Sequence, residues 1–239
     1  MQTTTERTVR EIAIENPASV TVFESLGIDY CCGGRRPLSE ACASAHVEME
    51  RVLRLLEAAR RGSQATETGD WSGKPLSDLI GHIVGKHHGF VRRELPRIAP
   101  LLAKVAAKHG ATHPETTEIE ALFAAVGQEL SAHLLKEEQV LFPYIVNLEQ
   151  AGVSGPRPAA CFGSVERPIA TMMAEHENAG ALLARIRELS HGYTAPADAC
   201  PTFLAVYHGL EEFERDLHRH IHLENNILFP RAIELEQAR

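Results

Sequence analysis

The sequence predicts an all-α protein in which a small helical N-terminal domain precedes a four-helix bundle. Three observations lead there. The frame His-x3-Glu-x3-Leu-Phe-Pro occurs twice, from His133 to Pro143 and from His220 to Pro230. A histidine precedes each frame at a similar interval, His87 by 46 residues and His176 by 44. From Lys74 onward the chain reads as four long helical patterns, with a Gly- and Pro-rich stretch between the second and third. Two hairpins of one pattern close into a bundle, and bundle interiors are recurrent locations for paired metal ions.

The elements follow in order. Residues 1–60 form short helices: Thr8-Val9-Arg10-Glu11 fits a capping box, Asn16-Pro17 sets a cap before a proline at the first helical position, and Gly27 terminates a helix. Asp29-Tyr30-Cys31-Cys32-Gly33-Gly34 is a loop by its glycines. Pro37 opens another short helix, and an amphipathic one runs from about Val47 to Ala59. The polar run over residues 61–73 is the expected linker. The bundle then occupies 74–239, with helices from about Pro75 to Lys108, Pro114 to Leu148, Pro168 to Leu189 and Asp198 to Gln237. Pro96 and Pro100 predict a kink or break in the first, and Pro143 a bend near the end of the second. Gly152 to Gly163 is the central crossover.

Composition narrows the function. A net charge of −8 without a Lys/Arg cluster argues against a nucleic-acid footprint. No apolar run approaches a membrane span, and Met1 to Glu6 lacks the apolar core of a signal peptide, so a cytoplasmic protein is expected. The five cysteines, odd in number and including an adjacent pair, make a poor disulfide framework and are expected as thiols.

Helical phase selects among thirteen histidines. A His and a Glu four residues apart lie about 40° apart on one helix face, one turn from each other. In the fourth helix Leu210, Phe213, Leu217, His220, Glu224 and Ile227 share a stripe, whereas His218 and His222 lie roughly 160° away and are expected to face outward. His133 and Glu137 fall on the inward stripe of the second helix, and His176 on that of the third. In the first, Ile80, Val84, His87, Val91 and Ile98 agree in phase, and His82 and His88 do not. Four imidazoles and two carboxylates in one interior carry a heavy desolvation cost unless a cation compensates. Imidazole and carboxylate without thiolate suit iron, manganese or zinc, and six ligands exceed the needs of one tetrahedral zinc. Two non-haem irons, bridged by Glu137 and Glu224 and by an oxo or hydroxo group, with two imidazoles each, use the set fully. Glu129, one turn before His133, and Glu175, adjacent to His176, are candidates to orient a ligand or relay protons, and solvated helix charges are the alternative. Cys31 and Cys32, flanked by glycines, are candidates for metal transfer, thiol exchange or nitric oxide capture; two small side chains in a turn are the alternative. Cys42, Cys161 and Cys200 show no partner in the sequence.

These residues resemble the hemerythrin-type di-iron bundle. Joined to a module carrying Tyr30-Cys31-Cys32-Gly33-Gly34, they resemble the repair-of-iron-centres (YtfE/ScdA) family over nearly the whole chain. Carried over, the resemblance implies His87, His133, Glu137, His176, His220 and Glu224 as iron ligands, with the glutamates bridging. Four inward histidines and two glutamates depart from the five histidines and Glu/Asp bridges expected of an oxygen-carrying hemerythrin. The family implies a bacterial cytoplasmic stress protein that restores damaged iron-sulfur clusters, by supplying iron or by reducing nitric oxide. Its partners would be nitric oxide or oxygen, damaged iron-sulfur proteins and an unnamed electron donor. A nitric oxide reductase forming nitrous oxide, or a nitric oxide or oxygen scavenger or sensor, are the rival readings.

Overall fold

The computed structural model describes residues 6–61, 70–152, 155–156 and 158–238. Most of the expected linker, residues 62–69, lies outside them, as do residues 153, 154 and 157 of the expected crossover.

Four short helices form the N-terminal module: α1 (Val9–Glu15), α2 (Ser19–Leu26), α3 (Leu38–Ser44) and α4 (Met49–Arg61). The capping box at Thr8 forms in full: Thr8 Oγ1 accepts from the Glu11 amide, and the Glu11 carboxylate accepts from the Thr8 amide. Gly27 ends α2 at φ 66°, a conformation that suits glycine. Val9, Val20, Phe23, Leu38 and Val52 pack into a core of the module's own.

The bundle follows. Its first rod joins α5 (Leu76–His82) to α6 (Gly89–His109) through a widened π-turn, Ile83–His88. The second joins α7 (Glu115–Lys136) to α8 (Phe142–Ala151) through Glu137–Leu141. The third is α9 (Glu166–Leu189), and the fourth joins α10 (Pro201–Leu223) to α11 (Phe229–Gln237) through Glu224–Leu228. Both α6 and α9 pack on α7 and on α10, which closes the ring of four. Phe123, Leu130, Leu183, Phe203, Leu210 and Phe213 fill one end of the interior, and Leu79, Ile83, Ile145, Leu148, Leu228 and Phe229 the other.

The Leu-Phe-Pro frames account for two of the wide turns. A proline donates no amide hydrogen, and its ring crowds the carbonyl four residues earlier. Those carbonyls belong to Gln139 for Pro143 and Asn226 for Pro230, each inside a π-turn. Widening relieves the crowding, and the helix resumes at Phe142 and Phe229 with the proline in its first turn. Pro96 and Pro100, by contrast, do not break α6. Both lie on its exposed side, where water can satisfy the carbonyls they leave unbonded.

The N-terminal module covers one face of α10. Arg219 reaches Glu24 with two hydrogen bonds of 2.8 and 3.0 Å, α1 touches the Glu224–Leu228 turn, and Cys31 joins the core of the bundle. His222, expected to face outward, is therefore buried: the outward side of α10 is the side the module covers, and the Tyr30 ring stands 5.4 Å from the His222 ring. His218, on the same side, lines a cleft of about 510 Å³ between module and bundle, together with Cys31, Cys32, Arg35, Arg36 and Arg187.

Candidate metal centre

Six ligand-type side chains converge at the level of the three wide turns, five from the interrupted rods and His176 from the unbroken α9, and each is at least 98% buried. They form two quartets, His88, Glu137, His220, Glu224 and His133, Glu137, His176, Glu224, whose ligand atoms lie within 4.8 Å of one another. In the first, His88 Nε2 stands 3.2 Å from His220 Nε2. In the second, His176 Nε2 stands 3.0 Å from His133 Nε2. The carboxylates lie between the pairs. Glu137 turns Oε1 to His133 at 3.3 Å and Oε2 to His88 at 3.4 Å. Glu224 turns Oε2 to His176 at 3.1 Å and Oε1 to His220 at 3.0 Å.

The structure brings together His133, Glu137, His176, His220 and Glu224, and it replaces His87 by His88. The reason is the π-turn over Ile83–His88. One extra residue in a turn rotates everything beyond it by about 100° relative to an unbroken helix, so a phase extended from Ile80 and Val84 misses by one position. His87 is buried too, but its Nδ1 meets Asp216 Oδ1 at 3.0 Å and its ring stacks beside His220 outside the quartets. A signal was present in the spacing. His88 lies 45 residues before His133, closer than His87 to the interval of 44 in the second half.

Behind the cluster, the outer nitrogens of three of the four imidazoles are held in turn, while His220 Nδ1 is buried and meets no hydrogen-bond partner among the described residues. His133 Nδ1 lies 2.9 Å from Glu175 Oε2, and the other oxygen of Glu175 is paired with Lys136. His88 Nδ1 lies 2.6 Å from Glu138 Oε1, which Arg92 also contacts. His176 Nδ1 donates to Asn225 Oδ1 at 2.9 Å. Such partners fix the tautomer that leaves Nε2 free to ligate. Glu129 has no place in this shell: it is exposed and accepts from Asn178 Nδ2 at 2.6 Å. The sequence reading missed His88, Glu138 and Asn225. For the last two the signal was the repeat itself, since each follows directly on the glutamate of its frame.

The electrostatics call for positive charge. Among the described residues, both oxygens of Glu137 and Oε2 of Glu224 meet no donor other than the imidazoles. Burial disfavours an imidazolium at His88 and His133, yet the carboxylates of Glu137 and Glu224 raise them to about 10 and about 9. For Glu224, burial opposes ionisation, but His220, His176 and His88 together hold it well below the ordinary carboxylate range. Two fully buried carboxylates facing four imidazole nitrogens form a donor set suited to hard or borderline cations, so the residues fit a resident metal.

The Cys-Cys loop is built by Asp29. Its carboxylate accepts the amides of Cys31, Cys32 and Gly33 at 3.1, 3.0 and 2.9 Å, which coils the backbone around one side chain. Cys31 Sγ lies 3.9 Å from Cys32 Sγ; Cys31 is buried and Cys32 half-buried.

Residues 79–232 match the hemerythrin HHE cation binding domain, and residues 5–60 match ScdA_N, a domain of unknown function. The iron-sulfur cluster repair protein YtfE of Pectobacterium carotovorum subsp. carotovorum is 35% identical over 228 residues, 95% of this chain and 97% of that protein. The chain belongs to the YtfE family. The YtfE protein of Musicola paradisiaca is 36% identical over 230 residues, 95% of this chain and 96% of the relative. That of Escherichia coli O8 is 35% identical over 223 residues, 93% and 94%. Family membership thus spans both the module and the bundle, and the cation-binding domain contains both quartets.

Proposed function

We propose that this chain holds two iron ions and repairs iron-sulfur clusters damaged by nitrosative or oxidative stress. The observation that carries the two-ion reading is the division of both carboxylates. Each glutamate turns one oxygen to the His88/His220 pair and the other to the His133/His176 pair. Glu137 and Glu224 would bridge, with two imidazoles terminal on each side. Repair comes from the relatives, which are named iron-sulfur cluster repair proteins and match nearly the whole chain. A cytoplasmic setting accords with five free cysteines; among the described residues no helix is long and apolar enough to cross a membrane.

A pair of irons supplies one-electron redox steps and exchangeable positions for nitric oxide or oxygen. The chain's own residues do the rest. Glu175 and Glu138 accept the Nδ1 protons of His133 and His88 and so keep each Nε2 lone pair directed inward. Glu175 is half-buried and paired with Lys136, so it can pass a proton between His133 Nδ1 and the surface. Buried Phe142 and Phe229, whose rings stack beside His88 and His176 at 5.7 and 6.1 Å, exclude bulk water from the cluster. Cys32 presents a thiol in the junction cleft, where a recipient protein could reach it.

The test is restoration of activity to an iron-sulfur enzyme damaged by nitric oxide, with iron content measured in parallel. Loaded protein should carry two irons and restore activity. Glu137→Ala should lose iron and fail to repair, and repair by iron-free Glu137→Ala would sink the reading. Repeated nitrous oxide formation with an electron donor present, and no repair, would favour the reductase.

A further inference from the structure

The two halves of the bundle correspond residue by residue through their repeated frame, and they differ just after the glutamate. Glu138-Gln139 in the first half stands where Asn225-Asn226 stands in the second. Glu138 and Asn225 play the same part, each holding the Nδ1 of a cluster histidine, His88 and His176 respectively. Gln139 and Asn226 do not. Gln139 is exposed, whereas Asn226 is 97% buried beneath the N-terminal module.

Asn226 uses its amide to seat the Cys-Cys loop. Its Nδ2 donates to the Tyr30 carbonyl at 2.9 Å, immediately before Cys31, and also meets His222 Nδ1 at 2.9 Å. The opposite amide orientation would set an oxygen against the Tyr30 carbonyl, so these partners fix it. The loop lies so close that a Cβ on Gly34 would stand 2.7 Å from the Tyr30 carbonyl oxygen and 3.3 Å from the Asn226 amide. Because Asp29 holds the amides of Cys31, Cys32 and Gly33, the loop moves as one piece.

The backbone between the two contacts is the wide turn Glu224–Leu228, where Pro230 removes a bond to the Asn226 carbonyl. A turn short of a ladder bond relies more on its side-chain contacts for its orientation. Those contacts point opposite ways from adjacent residues, Asn225 to His176 and Asn226 to the loop. Among the described residues no such connection reaches the first half, where Glu138 is met by Arg92.

We propose that Asn225 and Asn226 are positioning residues that couple docking of the Cys-Cys loop to the His133/His176 metal position more strongly than to the His88/His220 position, which the turn reaches only through the shared Glu224. The proposal rests on the two-ion reading. Docking fixes Asn226, which fixes the turn, the carbonyl that holds His176 Nδ1 and the aim of His176 Nε2. Coupling of this kind is reciprocal. A metal ion at His133/His176 favours the docked loop and shields Cys31, and release of the loop loosens that ion first.

The experiment uses the full chain loaded with ferrous iron and follows two quantities together. One is the kinetics of iron release to a ferrous chelator, and the other is alkylation of Cys31 and Cys32 by mass spectrometry. Asn226→Ala should speed release of one of the two irons about tenfold or more, affect the other less, and speed alkylation. Gly34→Ala, which displaces the loop without altering either asparagine, should do the same. Gln139→Ala, the equivalent change in the first half, should alter neither quantity. Exposed thiols with unchanged iron release in both Asn226→Ala and Gly34→Ala would overturn the coupling, and so would equal acceleration of both irons. Wild-type protein that never holds more than one iron would count against the two-ion reading; the coupling is then overturned if loading fails to slow Cys31 alkylation.

Discussion

His88 faces His220 through their Nε2 atoms at 3.2 Å, while its neighbour His87 turns away to Asp216 at 3.0 Å. Two adjacent, buried histidines thus have separate roles. On the proposed two-ion reading, His88→Ala should remove one iron and His87→Ala should retain both, since it loses a buried hydrogen bond worth about 1 kcal/mol but no ligand. Metal analysis of the purified variants decides it, and full iron in His88→Ala would return the ligand assignment to His87.

Glu175 and Glu129, both candidates from the sequence, separate in the structure. Glu175→Gln replaces the carboxylate that meets His133 Nδ1 and should weaken iron binding about 10- to 100-fold in chelator competition. Glu129→Ala removes an exposed contact to Asn178 and should leave iron affinity unchanged, with stability altered by roughly 0.5 kcal/mol at most. Equal losses in the two variants would mean that surface charge, not orientation of His133, sets the affinity.

The cysteines should differ sharply in reactivity. The neighbouring Cys32 thiol and burial push Cys31 well above the ordinary thiol range. At Cys200, by contrast, the Phe203 amide draws the thiol down, and His109 Nε2 lies 3.3 Å from its sulfur. Near neutral pH, alkylation of Cys200 should outpace that of Cys31 at least ~10-fold. Faster labelling of Cys31 would show that its loop spends time undocked.

Glu149 offers a pH test away from the metal. Burial opposes its charge, but the Ser77 hydroxyl and the amides of Ser77 and Leu76 stabilise it, so its pKa is lowered. A lowered carboxylate contributes stability that is fully present above the unfolded value and is lost as pH falls through the folded one. The wild type should therefore lose stability relative to Glu149→Gln as pH falls below about 4.5. At neutral pH the variant should be less stable by about 1 kcal/mol, the usual worth of a helix cap. Parallel unfolding curves at all pH values would rule out the cap as a source of stability.

The helical class, the duplicated frame and five of the six side chains that cluster were legible in the sequence. Each rests on local geometry: a 3.6-residue period places His133 with Glu137 and His220 with Glu224 whatever surrounds them. The same rule failed at His87 because it assumes unbroken helix, and a widened turn of a single extra residue changes which of two adjacent histidines faces the core. His222 failed for a different reason. Its phase was read correctly as opposite to His220, but that face is buried by a module some 200 residues earlier in the chain, and no local pattern reports such a contact.

By itself, then, the sequence determined what depends on near neighbours: which elements form, which donor types a helix can offer to one point, and that the arrangement occurs twice. Only the tertiary structure decided what depends on distant residues meeting. It set the share of each carboxylate between two histidine pairs, the partners behind His88, His133 and His176, and the seating of Tyr30 on Asn226 across 196 positions. Those contacts join segments whose separation is fixed by packing, and packing is a property of the whole chain.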